Sequence, residues 1–231
     1  MQFDWSFIFS PEVLGAALRG LQTTLLIVLF SAVFSGVIGS AVALMNVSGR
    51  QWLTRIGRPY VMFFRNVPLL IQLFFWYFGI SIVLPRSQYP FLYQGDYGVY
   101  IAIISISLVY GAFTAEVLRS GIEALPSTQM EAALALGLSR RRGFRLIVLP
   151  QLWPIVMPGL GNEMITIVKS SALATTVGVT ELLWQAQEME ATTFRGFETM
   201  TIVTIVFLLL NGTVFTVFRT LERLVRMPYS P

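Results

Sequence analysis

Three ionisable residues, Arg65, Glu163 and Lys169, lie within or beside the most apolar stretches of this sequence. A charged group is costly in hydrocarbon, so each should face a cavity, a partner or the membrane surface. Residues that interrupt helices lie close by, namely Pro68, Pro158, Gly159 and Gly161. Such interruptions free backbone groups that can line a binding cavity, where the charges would bind a polar solute. The alternative is that the charges form internal ion pairs that fix helix packing.

The residue types exclude most enzymatic chemistry. The chain has no Cys and no His, which excludes disulfides, thiolate nucleophiles, imidazole bases and the usual zinc sites. Lys169 is the only lysine and follows Val168, so the sequence has no G-x-x-x-x-G-K-[ST] loop for ATP. A serine–lysine pair through Lys169 is the one remaining route to an intramembrane protease. We therefore expect neither catalytic residues nor a metal site.

Composition indicates a membrane protein of a single domain, residues 1–231. The chain is 55% hydrophobic and 12% charged, against about 25% charged in ordinary globular domains. Four runs without any charge reach the roughly 20 residues that a membrane-spanning helix needs. They are Gly20 to Gly49, Asn66 to Pro85, Tyr97 to Ala115 and Thr199 to Phe218, and a fifth span is expected from about Leu152 to Ala174. The predicted fold is all-α and polytopic, with about five transmembrane helices.

Arginine and lysine positions predict the orientation. With the N terminus outside, the inner segments hold eleven arginines and the outer segments hold three. The positive-inside rule favours this arrangement, with the C terminus inside. Outside lie an interfacial arm of residues 1–19, a loop from Pro85 to Tyr97, and residues 177–198, which are predicted to contain a short surface helix. The net charge of +4 then reflects contact with the membrane rather than with nucleic acid.

The inner segment of residues 119–150 carries a dense motif. From Glu131 to Pro150 it reads EAALALGLSRRRGFRLIVLP. Thr128 could cap a helix, since Glu131 follows at the capping-box spacing. Gly137 suits a left-handed helix end, and Ser139 could cap a second short helix. Two small helices joined at a glycine would present an alanine face to a partner's groove. The plainer interpretation is an ordinary capped surface helix.

This pattern resembles the "EAA" loop of permease subunits of bacterial ATP-binding cassette (ABC) importers. Further segments, Phe64 to Tyr77, Ala115 to Ile122 and Gly161 to Leu173, resemble the polar amino-acid permeases of that superfamily. Within it, RNVPL and KSSALATTVG are most similar to a permease of glutamate/aspartate importers. The resemblance covers roughly Gly20 to Arg223.

The resemblance implies a type I ABC importer permease of five helices in the bacterial inner membrane. Its partners would be two ATPase subunits, a second permease, which is a paralogue or an identical copy, and a periplasmic amino-acid-binding protein. ATP and Mg²⁺ would reside on the ATPases, so this chain would hold no cofactor. The residues implied in coupling to the ATPase are Glu131, Ala132, Ala133, Gly137, Leu138, Arg140 and Arg141. The arginine cluster of this segment, Arg140, Arg141, Arg142 and Arg145, could instead bind anionic lipid.

The substrate path would combine the three charges with neutral hydrogen-bond partners. The predicted residues are Arg65, Asn66, Asn162, Glu163, Lys169, Ser170 and Ser171. Two basic groups against one acid favour an acidic amino acid, which carries a second carboxylate. Glutamine, arginine or histidine are the alternative substrates within the family. An ion-coupled secondary transporter is the alternative outside it, although the inverted repeats of such proteins are not visible.

Overall fold

The structure is a computed structural model that describes residues 5–84, 87, 90 and 96–225. Within these residues there are helices and turns but no strands. The helices are α1 (Pro11–Val47), α2 (Gln51–Asn66), α3 (Leu69–Val83), α4 (Tyr97–Glu123), α5 (Ser127–Ala135), α6 (Arg140–Gly143), α7 (Leu149–Ser171), α8 (Leu182–Thr193) and α9 (Gly196–Val225). Two 3-10 segments, Trp5–Phe9 and Ala172–Val177, and a π turn, Phe144–Val148, complete them.

Four helical segments in the described part of the chain are long and apolar enough to cross a membrane. They are α1, α4, the continuous segment from Arg140 to Val177, and α9. The pair α2 and α3 bends by 106° and makes a fifth crossing if it is counted as one broken span. The prediction of an all-α protein with about five spans is confirmed.

Helix α4 forms the centre of the bundle and packs against α1, α2, α3 and α7. Its alanines Ala102, Ala112 and Ala115 are fully buried. Small residues let the helix backbones approach closely, which favours van der Waals packing between helices in lipid. At Gly39 of α1, an added β-carbon would lie 2.6 Å from the Thr114 side chain of α4. The apolar core around Ile27, Ile106 and Ile167 joins α1, α4 and α7.

Two predicted boundaries differ from the structure at the start of the chain. Residues 11–19 are not a separate arm, because α1 begins at Pro11, with Ser10 accepting a hydrogen bond from the Val13 amide. The second predicted span, Asn66 to Pro85, is shortened to α3. Its start is fixed by Pro68, which cannot donate a backbone hydrogen bond and so separates α2 from α3. The predicted outer loop from Pro85 lies largely outside the described residues.

The predicted break before Glu163 is wrong. Helix α7 is continuous through Pro154 and Pro158, and the preceding π turn extends the helical segment back to α6. Prolines are tolerated inside membrane helices because neighbouring groups and local adjustments satisfy the freed carbonyls. The Glu131 to Pro150 segment is therefore not one loop, since its second half forms the beginning of a span. The predicted helix within residues 177–198 is present as α8.

Candidate functional site

The connection between α4 and α7 contains a closed helical knob. Helix α5 ends in a Schellman-type closure, in which the Leu138 amide donates to the Ala133 carbonyl at 3.0 Å. Gly137 lies between Ala133 and Leu138 in the chain and has a φ of 77°, so the predicted left-handed helix end at this glycine is confirmed. Residues with a β-carbon rarely adopt this conformation. The glycine therefore fixes the angle at which the chain leaves α5.

Helix α5 rests on α6 through a small contact. Ala133 is fully buried, and a β-carbon on Gly143 would lie 3.1 Å from its methyl group and 3.1 Å from the sulfur of Met130. The predicted alanine face is thus divided, because Ala133 points inward whereas Ala132 is exposed. Glu131, Gly137, Arg140 and Arg141 are exposed, and Leu138 is half-buried.

The outward surface of this knob includes two leucines that the sequence analysis did not single out. Leu136 is 80% exposed and Leu134 is 40% exposed. Glu131, Arg140 and Arg141, which flank them in the chain, are exposed as well. An exposed apolar tip of this kind is suited to contact with another protein. The signal was available in the sequence, since Leu136 directly precedes the glycine stop.

The predicted capping of the two small helices is only partly correct. Pro126, not Thr128, precedes the first residue of α5, and no side chain there accepts a capping hydrogen bond. Thr128 lies inside the helix because proline, with its fixed φ, already sets the extended geometry that a helix start needs. Ser139 does occupy the position before α6, but its hydroxyl makes no capping bond.

A second polar site lies where α2 ends against α4. The Arg65 guanidinium lies 3.9 Å from the Glu116 carboxylate and 5.1 Å from the centre of the Phe113 ring. Arg119 binds the same carboxylate more closely, with nitrogen–oxygen distances of 2.6 Å and 2.9 Å. Arg119 also contacts Glu123 at 2.5 Å. Arg65 is thus held loosely, whereas Arg119 is bridged on both sides.

Helix α7 supplies the other half of this site. Its half-buried Glu163 lies within electrostatic range of Arg65 and Tyr110, although it forms no ion pair with Arg65 in the described part of the chain. The Tyr110 hydroxyl forms a hydrogen bond of 2.6 Å with Ser170. Glu163 and Ser170 are seven residues apart and therefore share one face of α7. We name Arg65, Tyr110, Glu116, Glu163 and Ser170 the polar cluster.

The remaining predicted substrate residues lie elsewhere. Asn162 and Lys169 share a different face of α7, and Asn162 lines a cavity of about 280 Å³ between α7 and α9. Lys169 is exposed and makes no ion pair within the described residues. Ser171 and Asn66 donate to carbonyls of their own helices, those of Val168 at 2.8 Å and Met62 at 2.6 Å. The seven residues thus do not form one site.

Sequence reasoning missed Glu116, Phe113 and Tyr110 as members of this site. The available signal was that Glu116 ends the third charge-free run and that Arg119 follows at helical spacing. The structure changes the balance of charge as well. Two cations, Arg65 and Arg119, face the two carboxylates Glu116 and Glu163, whereas the sequence predicts two cations against one acid.

The chain matches the model of one protein family over most of its length. The family is described as "Binding-protein-dependent transport system inner membrane component", and residues 35–227 match.

Several curated proteins are similar to the chain. It is 34% identical to "Octopine transport system permease protein OccM" of Rhizobium radiobacter, covering 96% of this chain and 90% of that protein. It is 31% identical to "Glutamate/aspartate import permease protein GltJ" of Escherichia coli, covering 99% of this chain and 98% of that protein. "Probable glutamine ABC transporter permease protein GlnM" of Bacillus subtilis is 32% identical over 83% of this chain and 85% of its own length.

Solved structures share the fold. A crystal structure of an amino acid ABC transporter with histidines aligns with a TM-score of 0.83 and 26% identity, covering 96% of this chain and 99% of that one. The inward-facing MetNI methionine ABC transporter aligns with a TM-score of 0.76 at 22% identity, which shows the fold alone.

Proposed function

Because this chain belongs to the family of binding-protein-dependent transport system inner membrane components, we propose the following function for it. It is the permease subunit of an ATP-driven importer for polar amino acids, and it forms half of the translocation path. The observation that carries the proposal is the α5–α6 knob. It projects from one end of the spans, is closed by a left-handed glycine, and ends in an exposed Leu136.

The knob couples the spans to the motor. An ATPase subunit receives α5 in a surface groove, contacting Glu131, Ala132 and Leu136 directly, while Ala133 holds α5 against α6. Arg140 and Arg141 face acidic groups at the rim of that groove. Because the π turn joins α6 to α7 without a break, movement of the knob is transmitted directly to the span that carries Glu163.

The partners follow from this role. Two ATPases bind on the cytoplasmic side, a second permease completes the path, and a periplasmic binding protein delivers the substrate from outside. The N terminus lies on the periplasmic side of the inner membrane and the C terminus in the cytoplasm. ATP and Mg²⁺ bind the ATPases, and this chain changes no covalent bond. Nucleic acid is not a partner.

Within the path, the polar cluster binds the two charges common to all amino acids. Arg65 binds the substrate carboxylate, for which its loose contact with Glu116 leaves it available. Glu163 binds the ammonium group, and the buried Tyr110–Ser170 hydrogen bond holds α7 against α4 beside it. Glutamate or aspartate is the substrate we propose, on the RNVPL and KSSALATTVG segments and on the similarity to the GltJ protein.

A second candidate is a substrate with an additional cationic group, such as an arginine-derived amino acid. Arg119 already pairs with Glu116, but Glu163 forms no ion pair within the described residues, so its carboxylate suits a positive group on the ligand. The similarity to the octopine permease OccM supports the same class.

Uptake into proteoliposomes tests the proposal. The complete complex should import labelled glutamate only with internal ATP and external binding protein, and excess unlabelled aspartate should compete. Stronger competition by arginine or octopine than by aspartate would favour the second candidate substrate over glutamate or aspartate. Uptake driven by an ion gradient without ATP would overturn the importer function itself.

A further inference from the structure

The turn between α8 and α9 contains an unusual residue. Phe194 ends α8 with φ of 56°, and its side chain is 90% exposed. The other described residues in this left-handed conformation are all glycines, namely Gly49, Gly137 and Gly178. A bulky residue in this conformation is a genuine outlier, because its β-carbon crowds the backbone. Glycine would adopt this conformation at the helix end without strain, so folding alone does not explain a phenylalanine at this position.

Phe194 continues one exposed face of α8. The opposite face is anchored by Leu182 and Ala186, which are buried between α1 and α9. The exposed residues recur at helical spacing and line an open cavity of about 480 Å³. They are Gln187, Glu190, Ala191 and Phe194, which we name the α8 docking face.

Charge limits what this face can bind. Glu188 and Glu190 are both exposed on α8. The nearest cation along the chain, Arg195, lies 4.6 Å from the Phe7 ring and is drawn toward the N-terminal segment. The face itself carries the acidic Glu190, Glu188 is exposed on the adjoining side of α8, and Phe194 is the large apolar residue of the face. Anionic lipid headgroups would be repelled by it, whereas a protein with a basic rim around an apolar pocket would be complementary.

The position of the face identifies that protein. Helix α7 crosses the bundle once between the coupling knob and α8, so the α8 docking face lies at the end opposite the ATPase. We propose that this face docks the substrate-binding protein, with Phe194 inserted into an apolar pocket and Glu188 and Glu190 facing basic residues. The inference rests on the proposed function, which requires such a protein on that side.

Strain of this kind persists where function requires it. An aromatic ring that is 90% exposed has few rotatable bonds to fix on binding and buries a large area, which is typical of residues that dominate an interface. Holding the ring in a left-handed turn keeps it directed away from the bundle before the partner arrives.

The test compares Phe194→Gly with Phe194→Ala in the complete reconstituted complex. Purified periplasmic amino-acid-binding proteins of the same organism are loaded with substrate and added to the wild-type complex. The one that stimulates ATP hydrolysis is the probe. Both variants should raise the binding-protein concentration for half-maximal stimulation by about tenfold, with the maximal rate recovered at saturation. Only Phe194→Gly removes the strain, so its thermal midpoint should exceed that of Phe194→Ala. Phe9→Ala is the matched control, since Phe9 is 74% exposed but has an ordinary backbone.

The outcomes separate the two proposals. If no binding protein stimulates the wild-type complex, the proposed function fails and the docking face fails with it. If the wild type is stimulated and both Phe194 variants match its half-maximal concentration, only the docking face is overturned. An equal shift in Phe9→Ala would also overturn it, because the effect would then belong to exposed aromatics in general. A shift that appears only in vesicles containing anionic lipid would assign Phe194 to the membrane instead.

Discussion

The Arg65 guanidinium lies 3.9 Å from the Glu116 carboxylate, while Arg119 lies 2.6 Å from the same carboxylate. Glu116 therefore already has a close partner, and Arg65 adds only a weak attraction at a side chain that is 39% exposed. The Phe113 ring beneath the guanidinium supports its position without using its hydrogen-bond donors. Arg65 is thus placed and oriented but keeps donors for a ligand.

Arg65→Gln should lower amino-acid uptake by at least about tenfold, because a charge-assisted hydrogen bond contributes about 1.5–3 kcal/mol. Lys169→Ala serves as the comparison, since Lys169 faces away from the polar cluster and should leave uptake near the wild-type rate. The measurement is initial uptake of labelled substrate at matched complex density. Equal losses in both variants would show that Lys169 acts in the path as much as Arg65 does, which would contradict its placement outside the polar cluster.

Replacing Gly137 should uncouple the motor through the backbone alone. No atom of the residues that the structure describes lies within 4 Å of a β-carbon added at this glycine, so its replacement creates no clash with them. Valine there still costs more than the roughly 1–2 kcal/mol of a left-handed residue with a β-carbon, whereas asparagine tolerates this conformation. We expect Gly137→Val, like Glu131→Arg, to lose substrate-stimulated ATP turnover, and Gly137→Asn to retain most of it. Normal turnover in Gly137→Val would contradict the docking role of the knob.

The sequence correctly predicted features that depend on the composition of a single helix. Its predictions failed where contacts between helices decide the structure. The start of α4 at Tyr97 coincides with the predicted span, because a charge-free run sets the limits of a membrane helix. The continuity of α7 through Pro158 was missed, since the local rule for proline ignores how neighbours satisfy its freed carbonyl. The Arg65–Glu116 pair was missed because residues 51 positions apart meet only through the packing of α2 on α4.

Gly20 should be intolerant of even a methyl group. A β-carbon there would lie 2.7 Å from the Leu182 α-carbon and 3.0 Å from the Glu181 carbonyl, both of them backbone atoms that cannot rotate away. Gly20→Ala should destabilise the subunit by about 1–3 kcal/mol, as overpacking does. Gly15→Ala on the same helix meets only the tip of Arg19 at 3.5 Å and should be neutral or slightly stabilising. Thermal midpoints in detergent measure the difference, and equal midpoints would contradict the close contact of α1 with α8.

Ionisation of Glu181 should lower the stability of the folded subunit as the pH rises. Its side chain is fully buried at the start of α8, where it accepts hydrogen bonds from the Trp184 amide at 2.9 Å and the Thr24 hydroxyl at 3.4 Å. Burial raises the pKa of this carboxyl above its ordinary value of 4.5, and the hydrogen bonds from Leu183, Trp184 and Thr24 offset that rise only in part.

The sign of the effect follows from proton binding. Between pH 4.5 and the raised pKa, the folded chain holds a proton on Glu181 that the unfolded chain has released. The contribution of Glu181 to the stability of the subunit is therefore fully present below pH 4.5. It is lost as the pH rises through the pKa that Glu181 has in the folded state. Glu181→Gln keeps an acceptor for the Trp184 amide and cannot ionise, so it should flatten this part of the profile. Thermal midpoints of wild type and variant, measured from pH 4 to 8, should converge at the acidic end and separate above it, with the variant higher. Parallel profiles would show that Glu181 ionises in the folded protein as easily as in the unfolded chain.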